Sequence, residues 1–303
     1  MIEINNVFFS CKNTKIDEKI ILNNINLSIQ AGESVLLAGN NGSGKTSLLK
    51  ILTSEITPLV GTIKIDNHNI VEFSREEIFK TITLISGKLS DFIIDNFTFI
   101  ENIYLYTMHD NRISPFFGIN KTRKLEIIDT IKSLNLGINV DEIANKKISE
   151  LPNFYKHILI LMIGLIKQPK ILLIDDVFSE IDGSDIEHVF PILTKICDSH
   201  KFTTLITTDN PYLINKICNR VIILSNGKIV LDEKSGNIDN SKIVALFNNH
   251  FQAALNKKKS SDIQTKVEIE QKSHHSASDD MGTNSQGTIK NKKVSSTTED
   301  DIK

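Results

Sequence analysis

The stretch that most restricts how this chain can fold is a glycine-rich segment between a short apolar run and a helix-like run. It covers residues 39–46, reads Gly-Asn-Asn-Gly-Ser-Gly-Lys-Thr, and follows the apolar residues 35–37. Its spacing satisfies the pattern G-x-x-x-x-G-K-[ST], in which glycines allow backbone N–H groups to close around an anion. The N-terminus of the following helix adds positive partial charge at the same place. The sequence therefore predicts a phosphate-binding loop.

Two residues of this loop have individual predicted roles. The Lys45 ammonium is placed for the β- and γ-phosphates of a nucleotide, and the Thr46 hydroxyl is placed for Mg²⁺. The predicted nucleotide-binding residues are Gly39, Asn40, Asn41, Gly42, Ser43, Gly44, Lys45, Thr46 and Ser47.

A second chemical landmark is an apolar run that ends in two carboxylates. Residues 171–174 read Ile-Leu-Leu-Ile and are followed by Asp175 and Asp176. A buried strand that delivers one aspartate at its carboxyl end can hold Mg²⁺ opposite a phosphate loop. Many strands of α/β proteins end in aspartate, so the pattern is specific only in combination with the loop. Together they predict Thr46 and Asp175 as the magnesium ligands.

Composition and charge exclude several classes of protein. The chain has 303 residues, 40% of them hydrophobic, which is ample for a buried core. A net charge of −2 gives no electrostatic case for binding nucleic acid. The three cysteines, Cys11, Cys197 and Cys218, lack metal-type spacing and are predicted to be unpaired thiols.

No segment of the sequence predicts a membrane span. The first residues alternate like a strand and lack the basic start and apolar core of a signal peptide. The longest apolar run covers the nine residues 158–166, whereas a helix needs about 20 to cross a bilayer. We expect a chain that does not cross a membrane by itself.

Hydrophobic periodicity divides the chain into an α/β domain and a tail. Predicted strands cover residues 2–9, 20–29, 61–66, 81–85, 171–174, 203–207 and a hairpin over 220–232. Predicted helices cover residues 75–80, 100–109, 121–136, 151–169 and 186–197. The domain is expected over residues 1–250, with a helical subdomain over about 88–165 that packs on the core.

The helical subdomain is rich in aromatic residues, and this admits two interpretations. The residues are Phe92, Phe97, Phe99, Tyr104, Tyr106, Phe116 and Phe117. Burial in a core is favoured, because aromatic side chains stabilise a fold most when they are buried. An exposed docking surface is the alternative.

The composition changes abruptly near the C-terminus. Beyond Leu255 there is no aromatic residue, leucine or proline, and Lys, Ser, Thr, Asp and Gln dominate. Such a segment buries too little apolar surface to offset the entropy of ordering it. Residues 256–303 are therefore predicted to form a disordered polar tail. The three lysines at 257–259 are interpreted as a solvated charge run rather than a lipid contact.

Taken together, these features resemble the ATP-binding subunit of ABC transporters over residues 1 to about 235. The residues that carry the resemblance are the phosphate loop, the strand end at 171–176, and the Ser-Glu-Ile-Asp run at 179–182. The resemblance implies that Asp175 is the Walker B aspartate and Asp182 the D-loop aspartate. It also implies ATP and Mg²⁺ as ligands. The fold it implies is a P-loop NTPase core with an antiparallel β subdomain and a helical insertion.

Two catalytic positions depart from the family pattern. Asp176 stands where the family has its catalytic glutamate, and Thr208 stands where it has the switch histidine. A carboxylate one methylene shorter misplaces a general base, and an error of about 1 Å can cost roughly 10²-fold in rate. Asp176 and Thr208 are therefore predicted as weakened catalytic positions, and ATP hydrolysis is expected to be slow.

The family signature LSGGQ is also altered. It aligns with Leu-Pro-Asn-Phe-Tyr at residues 151–155, where only the leucine is retained. In the family this segment contacts the γ-phosphate held by the opposite subunit. Pro152 offers neither a hydroxyl nor an N–H, and Phe154 adds bulk where close backbone approach is needed.

Two further family residues are missing or displaced. The family places a glutamine near residues 86–87, but no glutamine occurs between Gln30 and Gln168. The aromatic residue that stacks on adenine is replaced by Cys11, with Phe9 nearby as a substitute.

The resemblance implies an ATP-binding subunit that couples binding or slow hydrolysis to a transmembrane permease. Its expected partners are that permease and a second ATP-binding subunit, in a homodimer or a heterodimer. Its expected place is cytoplasmic, on the inner face of a membrane. The alternatives are a catalytically weak, ATP-dependent dimerising scaffold and a soluble ABC-type ATPase.

Overall fold

The computed structural model of the protein describes residues 1–12, 18–86, 93–107, 119–176, 181, 183–210 and 217–237. All of them belong to one compact unit, Met1–Phe251. The predictions for Asp182, for the glutamine position beyond Ser86 and for the tail at 256–303 lie outside the described residues.

In the described part of the chain, ten strands form two sheets. The antiparallel sheet has the order β2-β1-β4-β5 and consists of β1 (Ile2–Lys12), β2 (Glu18–Ile29), β4 (Val60–Ile65) and β5 (His68–Asn69). The second sheet has the order β10-β9-β3-β8-β7-β6. Its strands are β3 (Ser34–Ala38), β6 (Ile82–Ile85), β7 (Ile171–Ile174), β8 (Thr203–Thr208), β9 (Arg220–Ser225) and β10 (Lys228–Lys234). Only β10 pairs antiparallel in the second sheet.

Helices pack against the parallel sheet, and several of them lie between β6 and β7 in the sequence. They are α1 (Lys45–Leu52), α2 (Arg75–Thr81), α3 (Phe99–Thr107), α4 (Lys121–Ser133), α5 (Val140–Ile143), α6 (Phe154–Leu165) and α7 (Ile186–Asp198). Within the described part of the chain, no helix combines the length and apolar character needed to cross a bilayer.

Period-two alternation places one face of β1 and β2 against the core. Ile2 and Ile4 are buried and pair with Ile29 and Leu27 of β2. A break in register follows, where Asn6 adopts a left-handed conformation with φ of 51°. The strands predicted from alternation are thus confirmed, and β1 continues beyond the predicted end.

The parallel strands are buried on both faces. All five residues of β3 and all four of β7 are buried, as expected for parallel strands with both faces covered. Because β3, β8 and β7 run parallel as neighbours, their carboxyl ends meet at one edge of the sheet. The phosphate loop, Asp175 and Thr208 all follow or end these strands, so the topology brings them together.

The helical insertion shares a core with this sheet. Phe99, Ile100 and Ile103 of α3 belong to the same buried cluster as Leu36 of β3 and Ile174 of β7. The favoured interpretation of the aromatic residues holds for Phe99 and Tyr104, which are buried, whereas Phe97 is 36% exposed. Phe92, Phe116 and Phe117 lie outside the described residues.

The apolar helix predicted over 151–169 is shorter at both ends. It begins at Phe154, two residues after Pro152, with Asn153 at the N-cap. It ends at Leu165, and Gln168 then adopts a left-handed conformation with φ of 48°. The helix predicted over 121–136 likewise ends at Ser133, two residues before Asn135, whose φ is 53°.

Candidate functional site

The phosphate loop connects β3 to α1 and holds Lys45 in its interior. Lys45 is 7% exposed. Its Nζ donates hydrogen bonds to the carbonyl oxygens of Gly39 at 2.6 Å and Asn40 at 3.2 Å. The ammonium is thus fixed by the backbone of its own loop and has further donor capacity.

Packing explains two of the loop glycines. A Cβ at Gly39 would lie 2.2 Å from the carbonyl oxygen of Leu224 on β9. Gly44 has φ of 108°, and a Cβ there would lie 2.7 Å from Cδ2 of Leu22 on β2. The loop therefore packs closely against β9 of one sheet and β2 of the other.

One threonine hydroxyl organises the acidic side of the site. Thr207, buried at the end of β8, donates from Oγ1 to Oδ1 of Asp175 at 2.7 Å. Thr207 Oγ1 also accepts a hydrogen bond from the backbone N–H of Asp176 at 2.9 Å. The Asp175 N–H donates to the Ile85 carbonyl at 2.7 Å. The predicted magnesium ligand is therefore oriented by fixed partners, as ligating carboxylates commonly are.

Asp176 has an unusual backbone conformation. Its φ is 53°, in the left-handed region that few non-glycine residues occupy. Aspartate tolerates this region better than most residues do. The turn fixes the direction in which the predicted general base leaves the strand, and the Thr207 hydroxyl bonds to its N–H.

Burial and neighbouring carboxylates act in opposite directions on the pKa of Lys45. Burial lowers the pKa of Lys45 from its ordinary value of 10.5, and the carboxylates of Asp209, Asp176 and Asp175 partly offset this effect. Asp209 also accepts a hydrogen bond from Nδ2 of Asn41 at 3.0 Å. This bond joins the segment after β8 to the phosphate loop.

These groups surround a cavity of about 200 Å³. It is lined by Lys19, Ile21, Asn41, Gly42, Gly44, Lys45, Thr46, Ser47, Asp175 and Asp176. Six of the predicted nucleotide-binding residues and both acids after β7 therefore meet in one place. Sequence reasoning did not identify Lys19 and Ile21, which β2 contributes from the other sheet.

The groups present suit a phosphate chain with Mg²⁺. Mg²⁺ takes oxygen ligands and is commonly held by one or two carboxylates together with substrate phosphates. Thr46 and Asp175 supply a hydroxyl and a carboxylate in the cavity wall. In the part of the chain that the structure describes, the buried Ser43 Oγ has no hydrogen-bond partner.

Thr208 and Phe9, two further residues predicted from the sequence, do not line the cavity. Thr208 is buried, its carbonyl accepts from Gly39 N–H at 3.1 Å, and its Oγ1 accepts from Asn210 N–H at 3.0 Å. Its hydroxyl is therefore engaged with the backbone. Phe9, the proposed substitute for the adenine-stacking residue, packs against the core beneath the antiparallel sheet. The catalytic roles of Asp176 and Thr208 and the role of Asp182 stay predictions.

The altered signature segment itself carries two aromatic rings. Phe154 stacks on His188 of α7, with ring centroids 4.2 Å apart. The ring centroids of Phe154 and Tyr155 are 4.4 Å apart. The Tyr155 and Lys156 N–H groups donate to the carbonyls of Pro152 and Asn153. The first turn of α6 therefore uses N–H groups that an anion would need.

Sequence reasoning missed two residues of the acidic side, Thr207 and Asp209. Each is adjacent in sequence to Thr208, so the signal was a run of polar residues at the end of a buried strand. The hydrogen bonds that distinguish them from Thr208 depend on the neighbouring strand β7 and on the phosphate loop.

Comparison with known proteins agrees with this site. The family model described as ABC transporter matches residues 22–179, which include the phosphate loop and both carboxylates after β7.

Two known proteins are similar to most of this chain. The methionine import ATP-binding protein MetN of Staphylococcus saprophyticus is 26% identical over 245 residues, covering 78% of this chain and 67% of that protein. The D-allose import ATP-binding protein AlsA of Escherichia coli is 27% identical over 230 residues, covering 74% of this chain. The match spans only 43% of the length of AlsA.

Solved structures share the fold. The ATP-binding cassette MJ0796, solved as a dimer in a post-hydrolysis state with ADP and Pi, aligns with a TM-score of 0.61 at 23% identity. That alignment covers 78% of this chain and 99% of the cassette. The structure of cbiO1 from Clostridium perfringens, part of the cbiONQ transporter complex, aligns with a TM-score of 0.65 at 19% identity over 80% of this chain and 92% of cbiO1. The P-loop fold predicted from the sequence is confirmed, and the chain belongs to the ABC transporter family.

Proposed function

We propose that this protein is the ATP-binding subunit of an ABC transporter complex. It binds Mg-ATP in the cavity between the phosphate loop and the acids after β7. It couples that binding, or slow hydrolysis, to a separate transmembrane permease. The observation that carries the proposal is the meeting of Lys45, Thr46 and Asp175 in one cavity, with Asp175 held by Thr207.

Each residue has a role in that function. Lys45 would neutralise phosphate charge, and Thr46 and Asp175 would hold the Mg²⁺, which would neutralise further charge on the phosphates. Asp176 acts as the general base, and Asp182 contributes to nucleotide binding. The bound nucleotide supplies the phosphoanhydride whose cleavage drives transport.

The partners follow from family membership and from the names of the relatives. The named relatives are import ATP-binding proteins, and one structural neighbour belongs to a transporter complex. We propose a permease and a second ATP-binding subunit as partners, and a location on the cytoplasmic face of a membrane. Affinity isolation from detergent-solubilised membranes tests this, and a multi-span protein is expected to co-purify.

Calorimetry of Mg-ATP binding tests the central part of the proposal. Lys45→Ala should weaken binding at least tenfold, because it removes the buried ammonium. Lys50→Ala is the matched control, since Lys50 lies on the same helix and does not line the cavity. Equal affinity of wild type and Lys45→Ala would refute the assigned role of the loop.

A catalytically weak scaffold is the second candidate. The first turn of α6 favours it, because its Tyr155 and Lys156 N–H groups already donate to backbone carbonyls and leave a γ-phosphate little to bind. ATP-dependent dimerisation without phosphate release, measured by light scattering and a phosphate assay, would distinguish it. A soluble ABC-type ATPase lacks a specific observation in its favour.

A further inference from the structure

We propose that Cys197 and Cys218 are a disulfide-forming site, at which a two-electron thiol oxidant such as hydrogen peroxide cross-links α7 to the segment that enters β9. We call these two residues the thiol pair. The bridge would lie at the edge of the parallel sheet that is opposite the nucleotide cavity, so the inference does not depend on the proposed function.

The two sulfur atoms of the thiol pair are already close together. Sγ of Cys197 and Sγ of Cys218 lie 3.8 Å apart. A disulfide bond is about 2.05 Å long, so the two atoms must approach by about 1.8 Å. Each sulfur moves by rotation about its own χ1 torsion, and the two side chains share the approach. The fold thus holds two thiols, 21 positions apart in sequence, within reach of one covalent bond.

The thiol pair lies at the amino-terminal edge of the parallel strands. Cys197 is in the last turn of α7, and its carbonyl accepts a hydrogen bond at 3.0 Å from Oγ of Ser34, the first residue of β3. Cys218 comes two residues before Arg220, which begins β9 and lies opposite Val35 of β3. The phosphate loop follows the other end of β3. The bridge and the nucleotide cavity therefore belong to opposite edges of one sheet.

Both thiols are buried, and this slows their oxidation. Cys197 is 2% exposed and Cys218 is 6% exposed. The contact with Cys197 and burial raise the pKa of the Cys218 thiol well above its ordinary value. Because the thiolate is the reactive form, the pair reacts only when the core opens locally. The site therefore responds to sustained exposure to an oxidant.

Oxidation by peroxide takes two steps that balance. One thiolate attacks a peroxide oxygen, the O–O bond breaks, and a sulfenic acid and hydroxide form. The sulfur of the second thiol then attacks the sulfenic sulfur, the S–S bond forms, the S–O bond breaks, and water leaves. In sum, the two thiols lose two protons and two electrons, and peroxide is reduced to two molecules of water.

The bridge should stabilise the fold and leave the nucleotide site intact. It closes a loop over residues 197–218, which includes β8 and its Thr207. A cross-link of this span stabilises a protein largely by restricting the unfolded chain, and we expect Tm to rise by about 5 °C or more. Mg-ATP affinity should stay within about twofold, because distant sites act independently.

Peroxide treatment of the full-length Cys11→Ser variant tests the proposal. The substitution removes the exposed thiol and leaves the thiol pair as the two cysteines of the chain. After prolonged treatment and unfolding, we expect no titratable thiol, a mass lower by two hydrogen atoms, and a cross-linked peptide that contains both cysteines. The rise in Tm should accompany the bridge, and dithiothreitol should reverse all four changes.

Single replacements of the thiol pair are the matched controls. Cys197→Ala and Cys218→Ala, each combined with Cys11→Ser, keep one buried thiol and should show neither the bridge nor the rise in Tm. If either variant does not fold, the peptide map of the parent still decides. Two titratable thiols in the parent, after a treatment that fully oxidises Cys11 in the wild type, would overturn the proposal. Added oxygen atoms without a cross-link would overturn it as well.

Discussion

At the scale of single residues, the site depends on Thr207, a side chain that does not line the cavity. Its hydroxyl bonds both to the carboxylate of Asp175 and to the backbone of Asp176. It thereby sets the position of the proposed magnesium ligand and of the predicted general base at once. We classify Thr207 as a positioning residue, and this role separates it from its neighbour Thr208.

The first prediction concerns Thr207→Val, which keeps the shape and removes the hydroxyl. We expect the Mg²⁺ concentration needed for tight ATP binding to rise about tenfold, because groups that orient metal ligands typically contribute 10–100-fold to metal affinity. ATP binding in EDTA should change little. The control is Thr204→Val, on the same strand, whose buried Oγ1 has no partner among the described residues. Equal magnesium dependence in both variants would contradict the positioning role.

The second prediction concerns pH and Lys45. Burial lowers the pKa of Lys45 in the free protein below 10.5, whereas a bound triphosphate favours the charged ammonium. Binding therefore takes up a proton once the free protein has lost it, and affinity should fall as pH rises toward 10.5. Calorimetry from pH 7 to pH 10 measures this. Lys45→Arg should give a flat profile, since arginine stays protonated. Parallel profiles for the two proteins would contradict the assignment.

At the scale of secondary-structure elements, Arg220 joins the β9–β10 hairpin to the β2–β3 turn. Its Nε and Nη2 donate to both carboxylate oxygens of Asp232 at 2.7 Å. Its Nη1 donates to Glu33 at 3.1 Å and to the Ser28 carbonyl at 2.9 Å. These carboxylates raise the pKa of Arg220 above its ordinary value. β9 lies beside β3, so this contact supports the strand that carries the phosphate loop.

The third prediction concerns that contact. Arg220→Lys keeps the charge but loses the two-pronged geometry, and we expect a loss of about 2 kcal/mol in the free energy of unfolding. Arg123→Lys is the control, because its pair with Glu126 is more exposed, at 43% against 19% for Arg220. That change should cost less than about 0.5 kcal/mol. Urea unfolding measures both, and similar losses would refute the structural role of Arg220.

Prediction from sequence succeeded where a pattern is local and failed where contacts are distant in sequence. The phosphate loop and the strand ending in Asp175 are continuous motifs, so their neighbours in sequence define them. The contributions of Lys19 and Ile21 depend on how the antiparallel sheet packs on the loop. No periodicity in β2 reports that contact. The end of α6 was missed because the prediction extended past the apolar run to residue 169, whereas the helix ends at Leu165 and Gln168 adopts a left-handed conformation.

At the scale of the whole molecule, the proposed function implies that a complete site requires two chains. The described residues provide a phosphate loop and acids around one cavity, and an altered signature segment with two aromatic rings at the start of α6. In the family's head-to-tail dimer, each nucleotide lies between one subunit's loop and the other's signature. A homodimer would therefore combine Asp176, Thr208 and the altered signature at both sites. A consensus partner would separate these defects, so that each site carries one class of fault.

The fourth prediction follows from this arrangement, and steady-state phosphate release tests it most directly. We expect the purified chain to hydrolyse ATP well below the usual turnover of about 10 s⁻¹. Asp176→Glu combined with Thr208→His should raise the rate measurably, and more so with a consensus partner than alone. Lys45→Ala, assayed in parallel, controls for contaminating ATPases. Fast hydrolysis by the wild-type chain alone, abolished by Lys45→Ala, would contradict the account.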